Sequence, residues 1–221
     1  MQGFNRYLTP RPVPAKKLSG SASMAAVGYS GDVDHRDGHA FGPLSPGLGG
    51  RVGLGGRWDA GLRVATGPLG AMADVKPLLF RSQRFDVAVS PAFAAVVTKL
   101  EWTDSSGYVF EDTFYFLSTD VPVVLGINVG QELTIVLTPG FIYGWQTPSR
   151  EILDETLRFP SVSGIAPRAG LGLDVGSEKL RARPEATFVW STGEGEQRTI
   201  YTVGVALEVG GFPDRADISL P

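Results

Sequence analysis

The chain's two histidines, His35 and His39, fall in one eight-residue stretch, DVDHRDGH, beside Asp32, Asp34 and Asp37. Imidazoles and carboxylates gathered in this way are able to bind a divalent cation. The same residue types are also the ordinary make-up of a polar loop. The stretch lies between two strand-like runs, so it reads as solvated loop, with no metal site and no catalytic site. Cysteine is absent, which excludes disulfides, thiolate metal sites and cysteine nucleophiles. No Gly-x-Ser-x-Gly, His-Glu-x-x-His or phosphate-binding glycine pattern occurs; GLGGRVGLGG is strand-like and opens no helix. No cofactor is expected. With a net charge of −3, the chain lacks the basic excess that points to nucleic acid.

A second set of chemically able residues is larger. Arg51, Arg63, Asp74, Lys76, Asp86, Arg168, Asp174, Arg181, Arg183, Glu185 and Glu208 recur at alternate positions within otherwise apolar runs. Six are basic and five acidic, a near balance. Groups of opposite sign on one enclosed face must pair, because an unpaired charge out of water is costly. Arg181, Arg183 and Glu185 point one way along their run, and the neighbouring run offers Arg168 and Asp174 across a tight turn. The next run adds Glu208. Antiparallel pairing brings Asp174 to Arg181 or Arg183. These six are expected to form an ion-pair network near the turn end. Asp104, in a loop, lies outside it.

The elements that position these charges are strands. In ELTIVLTPGFIYGWQ (132–146), Leu133, Ile135, Leu137, Pro139, Phe141, Tyr143 and Trp145 share one face, and small or hydroxylated residues share the other. Period two means strand. Ten such runs occur: 17–30, 47–56, 60–66, 70–80, 84–97, 112–129, 132–146, 160–175, 179–191 and 198–209. Their connections alternate between loops (31–46, 67–69, 98–111, 147–159, 192–197) and tight turns (57–59, 81–83, 130–131, 176–178). The pattern predicts an all-β fold: a transmembrane antiparallel up-and-down β-barrel of about ten strands, loops at one end and turns at the other, with large apolar residues outside and charge inside. No apolar run approaches the length of a membrane-spanning helix, but a barrel strand needs only about 9–11 alternating residues.

Aromatics gather where such a barrel needs them. Phe114, Phe116, Tyr143, Trp145, Phe188, Trp190 and Tyr201 lie near the loop end and are expected to form an aromatic girdle; Trp58, Phe80, Phe85 and Phe212 form a weaker one at the turn end. Within 112–129 the apolar parity switches between Phe116 and Val121, which predicts a β-bulge at Pro122. Pro77, Pro91, Pro139, Pro167 and Pro184 sit inside strands on the lipid-facing parity, and local bulges are expected there too. Residues 1–16 read as an extended basic segment, with Pro10, Pro12 and Pro14 favouring a polyproline-like course; residues 17–209 are the barrel and 210–221 a tail. The segment lacks the apolar core of a signal peptide, so the expectation is a signal already removed.

The alternating segments with embedded prolines, GGRVGLGGRWDAGLRV and IAPRAGLGLDVG together resemble the small outer-membrane β-barrel proteins of Gram-negative bacteria, the broad OmpA/OmpW-like group, over about residues 17–209. In that group the last strand carries an assembly signal; Thr202, Gly204 and Leu207 match it, and Val209 stands where an aromatic is usual. The resemblance implies a bacterial outer-membrane location with periplasmic termini, contact with the lipid bilayer and lipopolysaccharide, and possible contact with other envelope proteins. The loops carry twelve acidic against five basic residues, a rim suited to divalent cations among lipopolysaccharide phosphates. The expected role is structural or interactive, with a lumen filled by ion pairs and no enzymatic activity. Alternatives are a narrow channel for small solutes and a rim hydrolase, the latter implied by ten-stranded surface proteases that use Asp and His.

Overall fold

The computed structural model describes residues 7–33, 36–41, 44–66, 69–103, 109–130, 132–146, 164–177, 179–193 and 196–212. All regular structure among them is β. Thirteen strands run in sequence: β1 (Leu18–Val33), β2 (Arg36–Phe41), β3 (Ser45–Gly55), β4 (Trp58–Thr66), β5 (Leu69–Arg81), β6 (Phe85–Val89), β7 (Ala92–Thr103), β8 (Val109–Asn128), β9 (Leu133–Leu137), β10 (Gly140–Gln146), β11 (Gly164–Gly176), β12 (Leu180–Gly193) and β13 (Glu196–Gly210). β6 continues the line of β7 and β9 that of β10, because each pair shares both neighbours, and β2 continues that of β3, since both pair with β1. The thirteen strands therefore make ten antiparallel staves. β1 pairs with β13 over twelve residues, from Ser19–Gly210 to Ser30–Thr199, and closes the barrel. Both ends of the chain's barrel portion lie at the turn end.

Three hairpins run further than the alternation pattern predicts. Positions 31–33 and 36–41, expected as loop, are strand: 36–41 pair with 28–33. β7 and β8 extend to a Thr103–Val109 pair, and β12 and β13 to Gly193–Glu196. A paired backbone satisfies its own donors and acceptors, so polar composition alone does not stop a hairpin.

The bulge expected at Pro122 is absent: β8 keeps one register against β7 from Ala92–Asp120 to Thr103–Val109, and against β10 through Gly140–Pro122. The glycine opposite explains why. A Cβ at position 140 would lie 2.6 Å from the Pro122 Cα and the Val121 carbonyl oxygen, so Gly140 lets the two backbones pass closely there. The other prolines behave in three ways. Pro91 and Pro139 interrupt their staves, splitting β6 from β7 and β9 from β10. A register shift falls beside Pro77, between Leu78 and Phe80. β11 and β12 pass Pro167 and Pro184 with no shift at all. Carbonyls at the interruptions stay engaged: Pro91 accepts from Val75 N–H and Pro139 from Val123 N–H.

The outer face is apolar. Among the described residues thirty-three large hydrophobic side chains stand exposed, including Leu48, Leu62, Phe141, Ile165, Leu171, Val203 and Leu207. A water-soluble surface does not carry a continuous apolar belt on every stave; a hydrocarbon surround requires one. The prolines at 77, 91, 139, 167 and 184 all lie on this outer parity.

Candidate functional site: a filled lumen

The inward parity of the staves carries charge at the turn end and apolar groups towards the loop end. The eleven charged residues predicted for the lumen all lie on this inner face. Arg51 bridges two carboxylates, with Nη2 at 2.5 Å from Asp59 Oδ1 and 2.8 Å from Asp74 Oδ2. Lys76 Nζ sits 3.2 Å from Asp59 Oδ2. Asp174 joins Arg181 at 2.7 Å and Arg183 at 3.3 Å, and Arg183 pairs in turn with Glu208, which also accepts from Ser19 Oγ. Arg168 stands apart from this cluster, six residues further along β11. It pairs with Asp120 and lies 3.9 Å from Glu185. Asp59 and Asp120 were not among the residues singled out from the sequence. Asp59 abuts a tight turn and Asp120 sits in an apolar run, though its even parity, shared with Ser118 and Asn128, is the signal that would find it.

The largest departure from the sequence reading is the N-terminal segment. Residues 7–14 enter the barrel from the turn end and fill its lower half as a strap. Tyr7, Leu8, Thr9, Pro10, Arg11 and Val13 are all buried. The chain reverses at Ala15–Lys17, where Lys16 takes a φ of 62° and Lys16 N–H donates to the Gly53 carbonyl. Tyr7 N–H donates to Glu185 Oε2 (2.5 Å), and the Tyr7 carbonyl accepts from Arg183 Nη1 (3.2 Å). The Arg11 carbonyl accepts from Lys76 Nζ (3.0 Å), and Val13 N–H donates to Asp59 Oδ2 (2.8 Å). Arg11 Nε reaches Asp86 Oδ2 at 2.7 Å. Arg63 lies 4.9 Å from the Tyr7 ring centroid, in cation–π contact. Leu8 packs with Leu78, Ala88, Val124 and Val136.

With the strap in place the described lumen holds seven cations (Arg11, Arg51, Arg63, Lys76, Arg168, Arg181, Arg183) and seven carboxylates (Asp59, Asp74, Asp86, Asp120, Asp174, Glu185, Glu208). The staves alone supply six and seven; Arg11 completes the count. Neutrality matters where water is scarce, because an unmatched charge retains its desolvation cost.

Above the charged layer the lumen turns apolar. Ile142, Ala166, Val189 and Ile200 are fully buried together, with Val27 and Phe116 packed against them. Phe116 therefore points inward and is not part of the aromatic girdle. Its inward direction follows from the unbroken register of β8. Tyr143, Phe188 and Trp190 do face outward near the loop end, and the Phe188 and Trp190 rings stack at 6.4 Å. Tyr201 is half-buried, its ring lying across Gly28 on the neighbouring stave. The side chains of Phe114 and Trp145 lie outside the described residues. At the turn end Trp58, Phe80 and Phe85 are exposed, but Phe212 is buried beneath Arg181 and Arg183, at 4.7 and 5.7 Å from its ring. Phe212 takes this inward place because an aromatic face against two guanidinium groups replaces part of their lost hydration.

Two small cavities lie among the described residues of the charged layer. One cavity of about 20 Å³ lies between Tyr7, Arg63 and Asp74, and one of about 10 Å³ between Arg11, Lys76 and Phe212. Each holds about one water molecule. Among the described residues no group of His, Asp and Glu side chains is placed to hold a metal ion. Asp34 and His35 lie outside the described residues, as do the side chains of Asp32, Asp37 and His39; so does Asp104.

No protein-family model matches the chain, and no curated protein does. Solved β-barrel structures are similar to it in fold. The translocator domain of autotransporter NalP from Neisseria meningitidis matches at 10% identity over 87% of this chain and 88% of that one, with a TM-score of 0.49. Ail, the attachment invasion locus protein of Yersinia pestis, matches at 12% identity over 86% and 98%, TM-score 0.42. The outer membrane protease OmpT from Escherichia coli matches at 6% identity over 88% and 96%, TM-score 0.47.

Proposed function

We propose that the chain is a Gram-negative outer-membrane β-barrel with a structural or interactive role in the envelope, closed to solutes. The observation that carries this reading is the filled lumen. An ion-paired layer threaded by the strap lies in series with an apolar layer built on Ile142, Val189 and Ile200. A solute path must pass both, and the two described cavities, which lie within the charged layer, each hold about one water. The turn end, with both termini of the barrel, faces the periplasm in this reading. The loop end faces outward, where acidic loops meet lipopolysaccharide phosphates through divalent cations, and where other envelope proteins dock. The barrel's chemistry is confined to pairing charges. Neither a nucleophile–base motif nor a second histidine-bearing segment occurs in the sequence, so no enzymatic step is assigned to it.

The test is conductance. The protein, extracted in detergent and shown to be folded by heat-modifiable migration on a denaturing gel, is reconstituted in planar bilayers. The expected result is an absence of steady unitary currents. Single variants that loosen one layer, Leu8→Asp or Phe116→Ala, stay silent, and the double variant conducts. Steady unitary currents from the unaltered chain would overturn the reading in favour of a narrow channel.

A further inference from the structure

The geometry points to a peptide-binding site in the turn-end half of the lumen, of which residues 7–14 are the resident intramolecular ligand. The class of ligand is an extended, proline-punctuated peptide with an aromatic–leucine pair at one end and a central cation. Three independent features carry this.

The first is how the strap's backbone is held. An extended chain buried outside a sheet must place each N–H and C=O somewhere. Here charged side chains do it: Glu185 and Arg183 take the Tyr7 amide and carbonyl, Lys76 the Arg11 carbonyl and Asp59 the Val13 amide. Prolines at 10, 12 and 14 have no N–H, so every second donor that would need a partner is missing from that stretch. A polyproline-like peptide also loses little entropy when it is bound.

The second is that the wall is shaped to the strap. A Cβ at Gly204 would meet the Tyr7 hydroxyl, one at Gly126 would meet the Pro10 ring, and one at Gly53 would meet the Pro14 carbonyl. Three glycines on three staves thus open sockets for three strap residues. Leu8 fills an apolar pocket in a layer that is otherwise polar.

The third is that, among the described residues, the strap is not built into the sheet. Between the reversal at Ala15–Lys17 and Tyr7 it makes no strand pairing with the barrel; its single bridge, Ala15 to Gly53, lies at the reversal itself. The strap enters the lumen from the turn end. A second peptide of the same pattern, presented from the turn side, therefore competes for the same sockets. The inference concerns occupancy of the lower lumen and holds whether or not the barrel conducts.

The chain has no cysteine, so a single Leu8→Cys replacement reports on the strap in the otherwise intact protein. The rate of its reaction with a polar thiol reagent is followed in detergent, with and without a synthetic peptide of residues 7–16. A short tether gives the strap a millimolar effective concentration, so the peptide is added at about 1 mM. The expected result is slow labelling alone, accelerated at least about ten-fold by the peptide and unchanged by a scrambled one. Two results would overturn the inference: rapid labelling without peptide, which means the segment does not occupy the lumen, or slow labelling that the peptide does not change although the thiol reacts fully on unfolding, which makes the segment a fixed part of the wall. If the replacement abolishes heat-modifiable migration, Val13→Cys gives the same readout from the other end of the strap.

Discussion

Arg11 and Asp86, 75 positions apart in sequence, meet inside the barrel: Nε lies 2.7 Å from Oδ2, and the carboxylate is fully buried. The same carboxylate oxygen accepts from Asn128 Nδ2 at 2.9 Å. Strap, stave β6 and stave β8 are thereby tied at one atom. Asp86→Ala leaves a buried guanidinium without its counter-charge, and a loss of roughly 3–5 kcal/mol is expected for breaking a buried pair. Replacing both partners by apolar residues, Arg11→Met with Asp86→Leu, is expected to recover much of it, since a desolvated pair and a well-packed apolar pair are of similar stability. Denaturant unfolding of the barrel, followed by tryptophan fluorescence, measures both.

Asp174 stands between Arg181 and Arg183, on the stave next to theirs. Asp174→Ala is expected to destabilise the barrel by about 3–5 kcal/mol, because Arg181 loses its nearest carboxylate and Arg183 keeps only Glu208. Asp174→Asn, which keeps the shape and two polar atoms, should fall between the two. Unfolding midpoints of the three proteins give the order, and an alanine variant as stable as the parent would contradict it.

Gly126 and Gly20 make a paired test of the sockets. At Gly126 a methyl group would run into the Pro10 ring, whereas at Gly20 nothing lies within 4 Å. Gly126→Ala is expected to push the strap outward and to raise the protease sensitivity of residues 7–17 in the folded protein. Gly20→Ala, on an ordinary strand backbone, should leave sensitivity unchanged and stability equal or higher by up to about 1 kcal/mol.

Leu171 lies near the middle of β11, faces outward and is exposed. If hydrocarbon surrounds it, Leu171→Arg should cost about 2–4 kcal/mol, the penalty for a cation near the bilayer midplane. The same change at Leu180, beside the turn to β12, should cost about 0–1 kcal/mol. Reversible folding into lipid vesicles reads the difference between the two positions, and equal costs would contradict a membrane surround.

The sequence by itself determined what depends on near neighbours. Alternation at period two sets which side chains share a face, so the ten staves, the apolar exterior and the inward direction of Arg51, Lys76, Asp174, Arg181 and Glu208 were legible from local pattern. Connection lengths set which ends are turns. What only the tertiary structure decided depends on partners far away in the chain. The strap is one case: an extended, proline-rich basic segment looks the same in water as in a lumen, and what holds it is a set of groups as distant as Glu185, 178 positions from Tyr7. Phe116 is another. Its parity read as outward only if Pro122 bulged the strand, and whether it bulges is settled by Gly140 on the neighbouring stave, whose missing Cβ lets the two backbones pass closely and stay in register. Phe212 is the third, an aromatic at a strand end whose place, lipid or lumen, is fixed by the two guanidinium groups that the barrel's closure sets beside it.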